Sequence, residues 1–235
     1  MGILKNIFGK KTNSRSRRFF VGKYHSASIE IGGKSYNLTN VSVYGLGIKN
    51  PDINDGFELQ STHHVKLNLA DTVLEFNTRV VHVNEEILGM AVTANLETYA
   101  KTIQEYFRCE IDAFKTRELD PKKLQVRGDG SPHWFFADSN KELFYLEKEG
   151  RILFFQICYK DKILEMDENS FFTLGEVESY VGEKIKGSDI ITVDGTVDLT
   201  VVKSFIRYIQ GINAINQDHK DLIVAKIENY YLSAK

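Results

Sequence analysis

Two short stretches of the chain hold side chains suited to gripping a small anion. The first is Arg17-Arg18-Phe19-Phe20-Val21, at the root of a basic N-terminal segment. A guanidinium is a planar fork of donors that can bridge a phosphate with two parallel hydrogen bonds. The second is Asn40-Val41-Ser42-Val43-Tyr44-Gly45. Asn40 and Ser42 are short polar groups with hydrogen-bonding capacity, although Asn-x-Ser-x-x-Gly by itself also describes a turn between strands. Gly45 is expected to supply either a turn with positive φ or close approach to a ligand.

Other chemistry is not encoded in a readable way. His63 and His64 are neighbours on a strand-like stretch, so they point to opposite faces and cannot share a metal. His25, His82, His133 and His219 have no ligand spacing. There is no phosphate-binding P-loop, no Rossmann glycine set, no G-x-S-x-G and no H-E-x-x-H. The acidic run from Asp161 to Glu168 reads as a solvated turn. The chain is therefore expected not to be an enzyme and to need no metal or cofactor. Cys109 and Cys158 are far apart and read as reduced thiols of a cytoplasmic protein.

Charge sharpens the first stretch. Over 235 residues, 30 Lys and Arg face 32 Asp and Glu, for a formal net charge of -2, which argues against a DNA- or RNA-binding protein. The average hides an asymmetry. Lys5, Lys10, Lys11, Arg15, Arg17, Arg18 and Lys23 are basic, and the first 23 residues contain no acidic side chain. That segment carries +7, so the rest of the chain carries -9. Such a block reads as a flexible arm over residues 1–14. Ile3, Leu4, Ile7 and Phe8 would share one face of a short helix, with Lys5 and Lys10 on another, a pattern fit for weak contact with an anionic membrane surface. No apolar run is long enough to span a bilayer or to form a signal-peptide core.

The elements that must position these residues follow from periodicity. Residues 26–31 alternate and meet Gly32-Gly33, a hairpin signal. Further short extended runs end at residue 92, separated by turn residues, which predicts a small antiparallel barrel. Asn95 then reads as an N-cap. Leu96, Tyr99, Ala100, Ile103, Phe107, Ile111 and Phe114 recur at helical spacing, predicting one long helix over 96–117 with a stripe available for self-association. From Pro121 the composition changes, with a linker at 121–132 and then aromatic strand-like runs. These predict a meander of four or five strands. Two helices follow, one capped by Asp198 and the other started by Asn216 or Asp218. Trp134 and its neighbouring Phe residues are expected in the core.

Taken together, the two stretches resemble the PilZ domain, a small bacterial β-barrel that binds cyclic di-GMP. The family signature is an RxxxR element in an N-terminal arm followed by [DN]xSxxG in the barrel. Asn40-x-Ser42-x-x-Gly45 matches the second element in full, and Leu46-Gly47-Ile48 continues as family members commonly do. Arg17 stands where the first signature arginine belongs, and Val21 stands in place of the second. The strand order, Gly89 before the last strand and the closing helix are also similar, so the resemblance covers residues 15–119.

The resemblance implies a cytoplasmic second-messenger receptor whose site is Arg17, Arg18, Asn40, Ser42 and Gly45. Arginine would bridge the ligand's phosphates or the O6 and N7 of guanine. An arm that orders only over bound ligand would be the switch in signal transduction. The overall expectation is an α+β chain: a PilZ-like antiparallel barrel with a closing helix at 15–119, then an α+β domain at 121–235 that relays the signal to a partner protein. Val21 keeps a second reading open, in which the barrel is a degenerate protein-interaction module that binds no nucleotide.

Overall fold

The computed structural model describes residues 16–49, 55–124, 129–138, 140–177, 190–192 and 197–232. The arm at 1–14, Arg15, the turn at 50–54 and the linker residues 125–128 lie outside them. The chain forms two compact units, Met1–Tyr106 and Phe107–Lys235.

The first unit is one antiparallel sheet of eight strands: β1 (Phe19–Phe20), β2 (Ala27–Ile31), β3 (Lys34–Tyr36), β4 (Leu38–Ser42), β5 (Gly45–Lys49), β6 (Thr62–Leu69), β7 (Thr72–Val83) and β8 (Ile87–Val92). Their order across the sheet is β1-β4-β5-β8-β7-β6-β2-β3, and β2 comes near β4, so the sheet curls into a half-barrel. The hairpin signal at Gly32-Gly33 is realised: both glycines have positive φ, 59° and 79°, as a two-residue turn matched to strand twist requires. Alternation puts Ile29, Ile31, Val65, Leu67, Phe76, Val80, Leu88 and Met90 on the concave face, all buried. Helix α1 (Leu96–Tyr106) closes that face with Tyr99 and Ile103, and the Tyr99 ring lies 4.8 Å from that of Phe76.

The expected single helix over 96–117 is two helices. Phe107 is fully buried with φ -92° and ψ 24°, off the helical path, and α2 (Arg108–Lys115) starts after it. Periodicity alone cannot register such a break, because the residues on either side keep their helical spacing. The division between the units falls at this break, so 108–119 groups with the second unit and not with the barrel. Within that unit α2 packs against α3 (Leu199–Gly211). Arg207 donates from Nε and Nη2 to the two carboxylate oxygens of Glu110 at 2.7 and 2.9 Å. A Cβ on Gly211 would come within 2.7 Å of the Ala113 Cβ, so glycine is what permits the helices to pass this closely. The pair is mostly sheltered, with side chains 10% and 15% exposed, and removing one member of such a pair leaves a desolvated charge, costing about 3–5 kcal/mol when burial is complete.

The second sheet is a seven-stranded antiparallel meander, longer than the four or five strands expected. It comprises β9 (Arg117–Glu118), β10 (Ser131–Asp138), β11 (Lys141–Lys148), β12 (Arg151–Tyr159), β13 (Lys162–Met166), β14 (Phe172–Val177) and β15 (Ile190–Thr192). Two- and three-residue strands at its edges carry too little pattern to be read from sequence. Phe135, Leu143, Tyr145, Phe155, Ile157 and Leu164 form the face under α3 and α4 (Gln217–Tyr231). Both helix starts are as expected. Asp198 accepts from the Thr200 N–H at 2.8 Å, and Asn216 accepts from the Asp218 N–H at 2.8 Å.

Trp134 is not a core residue. Strand alternation turns Phe135 inward and leaves Trp134 and Phe136 36% and 40% exposed. The Trp134 Nε1–H donates to Glu142 Oε2 at 3.0 Å. Burial pushes the Glu142 carboxyl above its usual range, with the Trp134 hydrogen bond acting in the opposite direction. The folded state therefore favours the protonated form. Its contribution to stability is full below the ordinary carboxylate pKa and is lost as pH rises through the raised folded value. Glu142→Gln cannot ionise and can still accept from Trp134. Urea unfolding should give this variant a higher midpoint than wild type at pH 7 and an equal one at pH 4. An equal difference at both pH values would contradict this account.

Candidate ligand-binding face

The two stretches that resemble a nucleotide site are far apart in sequence and adjacent in the fold. Strand β1 pairs with β4, Phe19 opposite Val41 and Phe20 opposite Asn40, and the Val21 N–H donates to the Thr39 carbonyl at 3.0 Å. The anchor is Phe19, which is buried in the concave core together with Val41. Extending the register back one residue sets Arg18 opposite Ser42. Arg17 and Arg18 are both exposed. They differ in direction, because successive side chains of an extended chain alternate. Arg18 shares a face with Phe20, whereas Arg17 falls on the Phe19 side, with its guanidinium carbon 5.7 Å from the centre of the Phe19 ring.

Cross-strand register defines what surrounds Asn40. Opposing residues in adjacent strands share a face. Phe19, Val41, Leu46, Met90 and Val80 form one such row, and all are buried in the core. The next row is Phe20, Asn40, Gly47, Gly89 and His82, so it lies on the convex face. Beside it run Ser42, Gly45, Ala91 and Arg79. The predicted residues Asn40, Ser42 and Gly45 thus lie on one face, and β1 brings Arg18 alongside them.

The glycines give this face its relief. A Cβ on Gly47 would come within 2.7 Å of Asn40 Nδ2, and one on Gly89 within 3.1 Å of the His82 Cβ. Asn40 therefore lies down across Gly47 and is only 5% exposed, although it sits on the convex face. Its Nδ2 donates to Thr39 Oγ1 at 3.1 Å, and that hydroxyl donates to the Gly47 carbonyl at 2.8 Å. Of the two reasons expected for Gly45, the turn with positive φ is not realised. A Cβ there would stand 2.2 Å from the Met90 carbonyl oxygen, so the position is closed by a neighbouring strand.

Ser42 is largely committed to the hairpin. Its hydroxyl donates to the Gly45 carbonyl at 3.2 Å and accepts from the Tyr44 N–H at 3.4 Å, which leaves one lone pair for another donor. Tyr99 donates to the same Gly45 carbonyl at 3.0 Å, and burial pushes its hydroxyl strongly up, so it remains a donor. Sequence reasoning missed Tyr99, His82, Arg79 and the exposed Phe20. The isolated glycines at 47 and 89 were the available signal, since a glycine within a strand pattern marks close approach; their partners across the strands are visible only in the register.

Among the described residues, no group of three or more His, Cys, Asp and Glu is placed to hold a metal ion, and no helix is long and apolar enough to cross a membrane. Cys109 and Cys158 are buried thiols that form no disulfide, and burial pushes the Cys109 thiol up. A small open hollow of about 190 Å³ lies between the β6–β7 turn and the end of α1, lined by residues that include Leu69, Thr72, Thr102 and Glu105, none of them from the predicted site.

No family model matches the chain, and no curated protein matches it in sequence. Among solved structures, it is similar to an uncharacterized protein of Legionella at 10% identity, covering 39% of this chain and 90% of that one, with a TM-score of 0.32. It is also similar to the PlzA protein of Borreliella burgdorferi, solved in complex with c-di-GMP, at 10% identity, covering 70% of this chain and 83% of that one, with a TM-score of 0.28. The functional reading therefore rests on the residues of this chain.

Gly45 of the motif and Gly47 just beyond it make separable demands. At Gly45 a methyl group meets backbone that cannot move aside, and overpacking of that kind costs about 3 kcal/mol. At Gly47 it meets a side-chain amide that can swing away, so the cost falls to about 1 kcal/mol. Urea unfolding of Gly45→Ala and Gly47→Ala should show that order. Equal losses would contradict the interstrand role of Gly45.

Proposed function

We propose that the chain is a PilZ-like receptor for cyclic di-GMP, not an enzyme, and that it passes ligand occupancy to a partner protein. The reading is carried by one observation: β1 lies against β4, so Arg18 and the Asn40-x-Ser42-x-x-Gly45 hairpin meet on one face. The ligand has two phosphates and two guanines rich in acceptors. In this reading Arg18 bridges a phosphate or the O6 and N7 of guanine, and Arg17, turned to the Phe19 side, is not part of the face. Asn40 supplies its remaining amide hydrogen and Oδ1, Ser42 supplies its last lone pair, and Gly45 holds the hairpin against β8. The +7 segment raises the local concentration of an anionic ligand at the root of the arm. The partner is assigned to the second unit, where Trp134 and Phe136 are exposed on one sheet face.

One observation favours the degenerate alternative. Val21 is half-buried with its N–H bonded to Thr39, and it leaves the two-arginine clamp incomplete. Titration calorimetry on the full chain separates the readings. The receptor reading predicts binding in the micromolar range, weakened about 10- to 150-fold in Arg18→Ala by loss of one charge-assisted contact. No heat at high micromolar ligand, or unchanged binding in Arg18→Ala, would overturn it. Affinity that emerges only in Val21→Arg would establish the alternative.

A further inference from the structure

We propose that Phe20 is the stacking residue for a guanine base on the convex face of the first sheet, which rests on the cyclic di-GMP reading above. Phe20 is 76% exposed although it is the direct cross-strand neighbour of the buried Asn40. A lone exposed aromatic needs no explanation by itself. Its setting does. Along its row the next positions are Asn40, Gly47 and Gly89, so the sheet beside the ring carries an amide lying flat and then two residues with no side chain. The Phe20 ring therefore stands at the edge of a low floor about two strand spacings wide, roughly 10 Å. That is room for a planar bicycle to lie against the ring.

The groups around the floor are those a purine nucleotide needs. Arg18 is two residues before Phe20 and on the same face, where it can reach a phosphate. Asn40 is opposite, with amide donor and acceptor capacity for a base edge. His82 leans over Gly89 and closes the far end of the row. Stacking of a base on an aromatic ring is tolerant of base identity and adds to affinity without a charge. It offsets the arginine fork that Val21 removes, which explains how a face that carries Arg18 alone holds the ligand.

The test uses the full chain and cyclic di-GMP. Phe20→Ala should weaken binding about 5- to 150-fold, the range for loss of one base–aromatic stack, with an unchanged unfolding midpoint because the side chain is exposed. Phe20→Trp should keep wild-type affinity and show ligand-dependent quenching of indole fluorescence beyond that of the native Trp134. Phe171→Ala removes an equally exposed aromatic from the second unit and should bind as wild type does. Wild-type binding that persists unchanged in Phe20→Ala would overturn the stacking role and leave the receptor reading standing. A wild type that binds nothing would overturn both.

Discussion

A two-residue strand decides what the first unit can do. Phe19 is buried against Val41, and that burial fixes β1 on the edge of β4. The consequence is one of direction, because side chains alternate along a strand. With Phe19 turned inward, Phe20 and Arg18 must turn outward onto the face that carries Asn40 and Ser42. An aromatic ring fully sheltered from water is worth roughly 1.5–3 kcal/mol, enough to hold a short edge strand against fraying. Without that anchor the basic segment would have no fixed relation to the hairpin, and the two halves of the resemblance would be a coincidence of sequence.

The face itself is built by omission. Gly45 lets β8 approach, Gly47 lets Asn40 lie down, and Gly89 makes room for His82. Three glycines on neighbouring strands flatten the convex surface where a barrel strand would ordinarily project side chains. Tyr99 from α1 reaches the Gly45 carbonyl, so the closing helix and the hairpin are tied by one buried hydrogen bond. The core thus sets the position of the face, and the face leaves unspent one lone pair of Ser42 and part of the capacity of Asn40.

Much of this was legible in the residues. The Gly32-Gly33 hairpin, the alternation that defines the barrel core and the caps at Asp198 and Asn216 are local rules, and local rules can be read along a chain. The grouping of Asn40, Ser42 and Gly45 on one hairpin was legible for the same reason. Three things were not. The break at Phe107 preserves helical spacing and leaves no mark on periodicity. Trp134 sits on an outward-facing position that hydrophobicity alone assigns inward. The reason for Gly45 lies in the Met90 carbonyl, a neighbour distant in sequence that only strand register supplies. Register across strands is likewise what adds Phe20, His82 and Arg79 to the face.

The central claim is that the convex face at β1, β4 and β5 receives cyclic di-GMP. Backbone amide chemical shifts recorded during titration of the full chain with the nucleotide test it most directly. The account predicts that the largest changes fall on Arg17 to Val21 and Thr39 to Gly47, saturating together. No change at saturating nucleotide, or changes centred on the second sheet, would contradict it.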